Sequence, residues 1–250
     1  MQNKSIEKYF FDQFSSSREY DVFTPYGYKT ILREYLQLIH TPSHRKIRVI
    51  DLGCGTGAFT RQFKRVFNGL NDYCGLDLSL QSVRMATKKS PGIHFCAGDI
   101  ENCCFKDNVF DVVLFSGVLH HFIDMEPCMR EAYRILRNGG CVLSYDPNIK
   151  NPLMWLYRHP SSPFFSNIGI TENEHLLSPA EVTSTMEKAG FTNVTTHCKS
   201  GVTFKYIATE LGRFLLPLYN IFETLLGLTP LQSKYGSFII GYGEKRQKDE

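Results

Sequence analysis

Residues 49–60, VIDLGCGTGAFT, set Gly53, Gly55 and Gly57 between an apolar run and a helical pattern. Glycine permits a tight turn and lets a ligand approach the backbone closely, and the helix start beyond it offers unpaired N–H groups. Asp77 closes the next apolar run, about 20 residues past the last glycine, where a doubly wound fold carries the carboxylate for ribose hydroxyls. Gly53, Gly55 and Ala58 also satisfy the spacing of nicotinamide and flavin sites. Asp51 weighs against those ligands, because a carboxylate repels a pyrophosphate and suits a ligand with a cationic end. His120 and His121 follow a later apolar run. Imidazole titrates near neutrality, as a general base should, although a histidine pair can equally shape a pocket or cap a helix. Asp146, just before Pro147, is a third polar candidate, with a turn carboxylate as its plain alternative.

The elements that must hold these residues alternate. Strands are expected at Ile47–Leu52, Tyr73–Leu78, Ile93–Cys96, Phe110–Phe115 and Cys141–Tyr145. Helices are expected at Lys29–Ile39, Phe59–Phe67 and Met125–Leu136, the last stopped by Asn138-Gly139-Gly140. Ser79 is placed to cap the helix after the second strand, and Ser178-Pro179-Ala180-Glu181 combines a capping box with proline at the first helical position. Asn193–Cys198 and Ser237–Tyr242 complete seven strands. Such alternation implies an α/β fold, a mostly parallel sheet covered on both faces. Residues 147–177 interrupt it with four prolines among Trp155, Tyr157, Phe164 and Phe165, and are expected to form a cover over a cleft whose aromatics either line an apolar pocket or pack onto the sheet. The division is therefore one domain: an aromatic N-terminal cap (1–45), a ligand-binding core (46–147), the cover (148–177) and the remainder of the sheet (178–250).

Composition narrows the classes. With 250 residues, 42% hydrophobic and 21% charged, the chain can bury a substantial core. A net charge of +3 with scattered cations argues against nucleic acid. The eight cysteines form no C-x-x-C pair, so no metal site is expected, and with no secretory signal the expectation is a reduced, cytoplasmic chain. Ile207–Leu228 is the most apolar long stretch, but Glu210, Arg213, Pro217 and Glu223 interrupt it. Its Leu211, Phe214, Leu215, Leu218, Ile221, Phe222, Leu225 and Leu226 recur at helical spacing, as in a core helix, a homodimer face or a lipid contact.

Taken in order, these motifs resemble the class I S-adenosylmethionine (SAM)-dependent methyltransferases, in particular those acting on small molecules. The resemblance covers roughly residues 45–200 and is carried by VIDLGCGTG, YCGLDLS (73–79), HFCAGDIE (94–101), FDVVLFSGVLHHF (110–122) and RILRNGGCVLSYDPN (134–148). It implies a seven-stranded sheet with an antiparallel last strand. It also implies SAM as cofactor, with Asp51 as the acidic residue of the first motif and Asp77 and Leu78 at the ribose and adenine. Asp99 and the Ile100 N–H would meet the adenine edge, and Ser116 and Gly117 the methionine end. Tyr20 is either a cofactor contact from the cap or a packing residue. The expected reaction is methyl transfer to a small-molecule acceptor, apolar or lipid-like among the possibilities and with oxygen favoured. His120, His121 and Asp146 are the candidates for catalysis. The alternatives are a nicotinamide-dependent oxidoreductase and a SAM-fold protein without turnover. FSGV stands where amino-group modifiers of nucleic acids carry Asn/Asp-Pro-Pro-aromatic.

Overall fold

The computed structural model describes residues 3–17, 19–40, 45–67, 71–165, 170–207 and 209–246. Its centre is one sheet of seven strands: β1 (Arg48–Leu52), β2 (Asp72–Asp77), β3 (His94–Ala97), β4 (Phe110–Ser116), β5 (Leu136–Pro147), β6 (Thr192–Lys199) and β7 (Phe238–Glu244). The spatial order is β3-β2-β1-β4-β5-β7-β6. The first five strands pair in parallel, whereas β7 runs antiparallel to both β5 and β6. The mostly parallel doubly wound sheet and its reversed last strand are thus as expected. The order changes direction at β1, so the crevice between β1 and β4 is the switch point where such sheets bind ligands.

Side chains alternate across a strand, and the two faces of this sheet build two cores. Ile50, Leu52, Val113 and Phe115 point into one core, with Met129, Ile135 and Met186. Val49, Val112 and Leu114 point into the other, with Phe63, Tyr35 and Tyr145. The helices that fill these layers are α1 (Lys4–Ser17), α2 (Pro25–Leu38), α3 (Ala58–Val66), α4 (Leu80–Lys89), α5 (Glu126–Ile135), α6 (Pro152–Arg158), α7 (Pro179–Lys188), α8 (Glu210–Leu226) and α9 (Gln232–Tyr235). Ser79 caps α4 by accepting from Ser82 N, and the capping box at Ser178 and Glu181 starts α7.

Three elements differ from expectation. Helix α2 begins four residues earlier than Lys29, because Thr24 accepts from Gly27 N and Pro25 occupies the first turn. Helix α5 ends at Ile135, and Leu136 already pairs with Phe110, so Gly139-Gly140 lies inside β5 and not at a helix stop. Helix α8 is inverted. Its inward Glu223 is fully buried on Asn151 Nδ2 and Ser237 Oγ (2.9 and 2.6 Å), while Leu211, Phe214, Leu218, Ile221 and Leu225 stand 55–79% exposed. The apolar stripe is therefore not core. Among the described residues, no helix is long and apolar enough to cross a membrane.

Candidate functional site

The glycine turn begins where β1 ends. Gly53, Gly55 and Gly57 all have left-handed φ, at 76°, 51° and 74°. A Cβ on Gly53 would stand 2.4 Å from Val118 Cγ2, so any side chain there collides with the loop after β4. A Cβ on Gly55 would meet nothing within 4 Å, which leaves the turn bare on its open side. The turn is clamped from β2. Gly53 N and Cys54 N both donate to Leu76 O, and Gly55 N donates to Asp77 Oδ2 at 2.7 Å. Ser79 N donates to Asp77 Oδ1 at 2.9 Å. Burial raises the Asp77 carboxyl above its ordinary value, and these two N–H groups pull it back. Each carboxylate oxygen has more than one acceptor site, so Asp77 can hold the turn and still face a ligand.

Around this turn lies a cavity with about 1070 Å³ of free space, part of it open to solvent. Tyr20, Gly53, Gly55, Asp77 and Leu78 line it together with Asp99 and Ile100 after the neighbouring β3, while Ser116 and Gly117 line it from the end of β4, across the switch point. Asp51 and Gly57 do not reach the wall. Gly57 is the N-cap of α3. Asp51 lies beneath the turn, fully buried, with Oδ2 accepting from Thr60 Oγ1 at 2.6 Å and Oδ1 lacking a well-formed hydrogen bond. Burial pushes its carboxyl up to about 7, against the opposing hydroxyls of Thr60 and Ser116.

The three catalytic candidates separate. His121 lines the cavity; His120 and Asp146 do not. Asp146 is 1% exposed, and its Oδ1 takes both the backbone N–H of His120 (3.1 Å) and His120 Nδ1 (2.8 Å). His120 Nε2 lies 3.5 Å from Glu174, which Arg158 also engages. Burial lowers the His120 pKa, but Asp146 and Glu174 more than offset this, and the net shift is upward. His120 and Asp146 thus form a buried ion-paired support behind His121.

Several site residues carried no local signal. Glu7, on α1, sets its Oε2 3.2 Å from His121 Nδ1, while its Oε1 accepts from Thr171 Oγ1 (2.5 Å) and Asn173 Nδ2 (3.0 Å). Lys4 pairs with Asp99 at 2.6 Å and also with Glu101. Thr56 Oγ1 accepts from Tyr20 N at 3.0 Å and donates to Tyr20 O at 3.3 Å, tying the cap to the glycine turn. Helix α1 therefore closes one side of the cavity through polar contacts. In the sequence its residues stood out only as an aromatic segment, because pairs 114 positions apart obey no periodicity. Of the cover aromatics, Trp155 packs on the core and stacks on His159, while Phe164 and Phe165 are exposed.

Donor atoms of His120, His121 and Glu174 lie within 4.8 Å of one another, a grouping compatible in reach with a metal ion. The Arg158 guanidinium already occupies Glu174, and like charge repels a second cation there.

Residues 50–144 match the family described as a methyltransferase domain. The chain is 31% identical over 127 residues to phthiotriol/phenolphthiotriol dimycocerosates methyltransferase 1 of Mycobacterium ulcerans, covering 48% of this chain and 46% of that protein. It is 32% identical over 111 residues to demethylmenaquinone methyltransferase of Chlorobaculum parvum, covering 44% and 45%. The chain thus spans just under half the length of these curated relatives. A crystal structure from Thermotoga maritima, described as a SAM-dependent methyltransferase and possible histamine N-methyltransferase, superposes with a TM-score of 0.63 at 20% identity. That superposition covers 96% of this chain and 99% of the other, and it establishes a common fold. With the nicotinamide alternative set aside by these matches, the glycine turn, Asp77 and the crevice between β1 and β4 lie in a methyltransferase domain that has the fold of the SAM-dependent methyltransferases.

Proposed function

We propose that this protein transfers a methyl group from SAM to the oxygen of a small-molecule acceptor. The observation that carries this is the single cavity in which the bare glycine turn, Asp77, Asp99 and Ser116-Gly117 converge with one histidine, His121. The residues fit the cofactor. The turn is open at Gly55, and the buried Asp51 carboxylate, with one oxygen poorly bonded, is stabilised by a cation nearby.

When bound, SAM supplies a methyl group already activated as a sulfonium. The chain's work is then alignment and exclusion of water. Asp77 takes ribose hydroxyls while holding the turn, and Leu78 and Ile100 cover the adenine. Asp99 keeps Lys4, and with it α1, at the adenine end. Ser116, Gly117 and the charge of Asp51 serve the methionine end. Phe11 and Tyr20, in edge contact at 6.3 Å, form part of the wall around the reacting groups. An alcohol or phenol must lose a proton, and His121, the one catalytic candidate on the wall, accepts it.

The test has two parts. Calorimetry with SAM should give binding to the parent and none measurable to Asp77→Ala. Methyl-labelled SAM incubated with protein and a small-molecule extract should pass label to the extract. Equal SAM binding by parent and variant overturns the cofactor site, and label that never leaves SAM overturns turnover.

A further inference from the structure

A second cavity begins on the other side of Tyr20 and Val22, the two residues that it shares with the cofactor cavity. It holds about 810 Å³ of free space, part of it open to solvent, which falls within the range of roughly 300–1,000 Å³ common for small-molecule sites. Parts of the chain far apart in sequence build it. Phe10 and Phe14 come from α1, Leu153 from α6, and Phe204, Ile207 and Tyr219 from the segment leading into α8 and from α8 itself. Among the described residues, Arg158 is the only charged group on its wall. That charge is already matched, because Arg158 is paired with Glu174, whose side chain is 5% exposed. A ligand carrying its own charge would enter this chamber without a free partner and bear the cost of desolvation. A neutral apolar group meets aromatic and aliphatic walls instead.

We propose that this second cavity holds the hydrocarbon part of the acceptor. The acceptor is then a neutral molecule whose reacting oxygen sits at the Tyr20–Val22 junction and whose apolar chain extends between α1, α6 and α8. This rests on the methyl-transfer reading, since it takes the junction of the two cavities as the place of reaction. Helices α1 and α6 act together: the cap that closes the cofactor cavity also forms a wall of the acceptor chamber. Tyr20, anchored to Thr56 of the glycine turn, divides the two.

A series of 4-alkylphenols, from phenol to 4-octylphenol, tests this by calorimetry on protein loaded with S-adenosylhomocysteine, the demethylated cofactor. Affinity should rise roughly threefold to fourfold for each methylene buried, until the chamber is full. Leu153→Glu and Ile207→Glu, made separately so that one misfolded variant does not end the test, should each flatten the series and leave SAM affinity unchanged. Leu218→Ser, on the exposed face of α8, should leave the series as in the parent. A flat series in parent protein that binds SAM overturns the acceptor chamber alone. A chain-length gain that persists in both glutamate variants but disappears in Leu218→Ser also overturns it, and assigns apolar binding to the outer face of α8. Parent protein that binds no SAM overturns the underlying methyl-transfer reading instead.

Discussion

Glu7 and His121 meet at 3.2 Å, a carboxylate from the first helix against an imidazole from the loop after β4. Burial alone would raise the Glu7 carboxyl, but His121, Thr171 and Asn173 more than reverse this and hold it below its ordinary 4.5. A carboxyl depressed on folding contributes stability that is present above 4.5 and is lost as pH falls through its folded value. Hydrogen exchange should therefore show α1 protected at pH 7 and progressively less so below about pH 4.5. In Glu7→Ala that protection should already be weak at pH 7, and the chain should be less stable by about 1–3 kcal/mol. Unchanged protection in the variant would separate α1 docking from this contact.

His121 and His120, adjacent in sequence, should respond differently to the same substitution. His121→Ala should lower turnover by about 10²–10⁴-fold and leave SAM affinity within about threefold, roughly 0.7 kcal/mol. His120→Ala leaves Asp146 and Glu174 buried without the imidazole between them, so its main effect should be on thermal stability, by about 3–5 kcal/mol. Steady-state kinetics and melting curves on both variants decide this. Equal turnover in parent and His121→Ala would remove it as the base.

Asp51 gives a pH signature of the opposite sign from Glu7. Its folded carboxyl is raised from 3.8 to about 7. The associated stability is thus complete below 3.8 and is lost as pH rises through about 7. The parent should lose stability between pH 5 and pH 8 relative to Asp51→Asn, by roughly 2–4 kcal/mol at the upper end. SAM brings positive charge, so its affinity should rise with pH over the same interval in the parent and stay level in the variant. Parallel melting curves for the two proteins would show that Asp51 does not titrate there.

Gly55→Ala isolates the turn from the rest of the site. The position has φ 51°, and the added methyl meets no protein atom within 4 Å. The strain of a left-handed alanine should lower stability by about 1–2 kcal/mol. SAM affinity should fall further, by about tenfold or more, because the methyl projects into the space where the ligand must approach. Calorimetry that finds SAM affinity unchanged would mean that the cofactor does not contact this turn.

Much of the frame was legible because it is local. The glycine spacing, the Ser79 cap, the Ser178 capping box and the β-branched runs each state a backbone preference within a few residues. The misjudged boundaries are places where partners distant in sequence decide. Leu136 becomes strand because Phe110 pairs with it, although the residues before it have helical periodicity. Helix α8 follows the same logic on a larger scale. Its apolar spacing fits a buried stripe, but Asn151 and Ser237 hold Glu223 inward, and the stripe turns outward.

By itself the sequence determined the parallel sheet and the glycine turn with Asp77 at the neighbouring strand end, since periodicity and turn chemistry act over short distances; the reversed last strand came only from the family resemblance. Only the tertiary structure decided that His121 faces the cavity while its neighbour His120 is buried on Asp146. It also decided that Glu7 and Lys4 close the site from the first helix and that a second, apolar chamber adjoins the first. Those are contacts between segments far apart along the chain, set by how the layers pack, and no spacing rule encodes which side chains will meet.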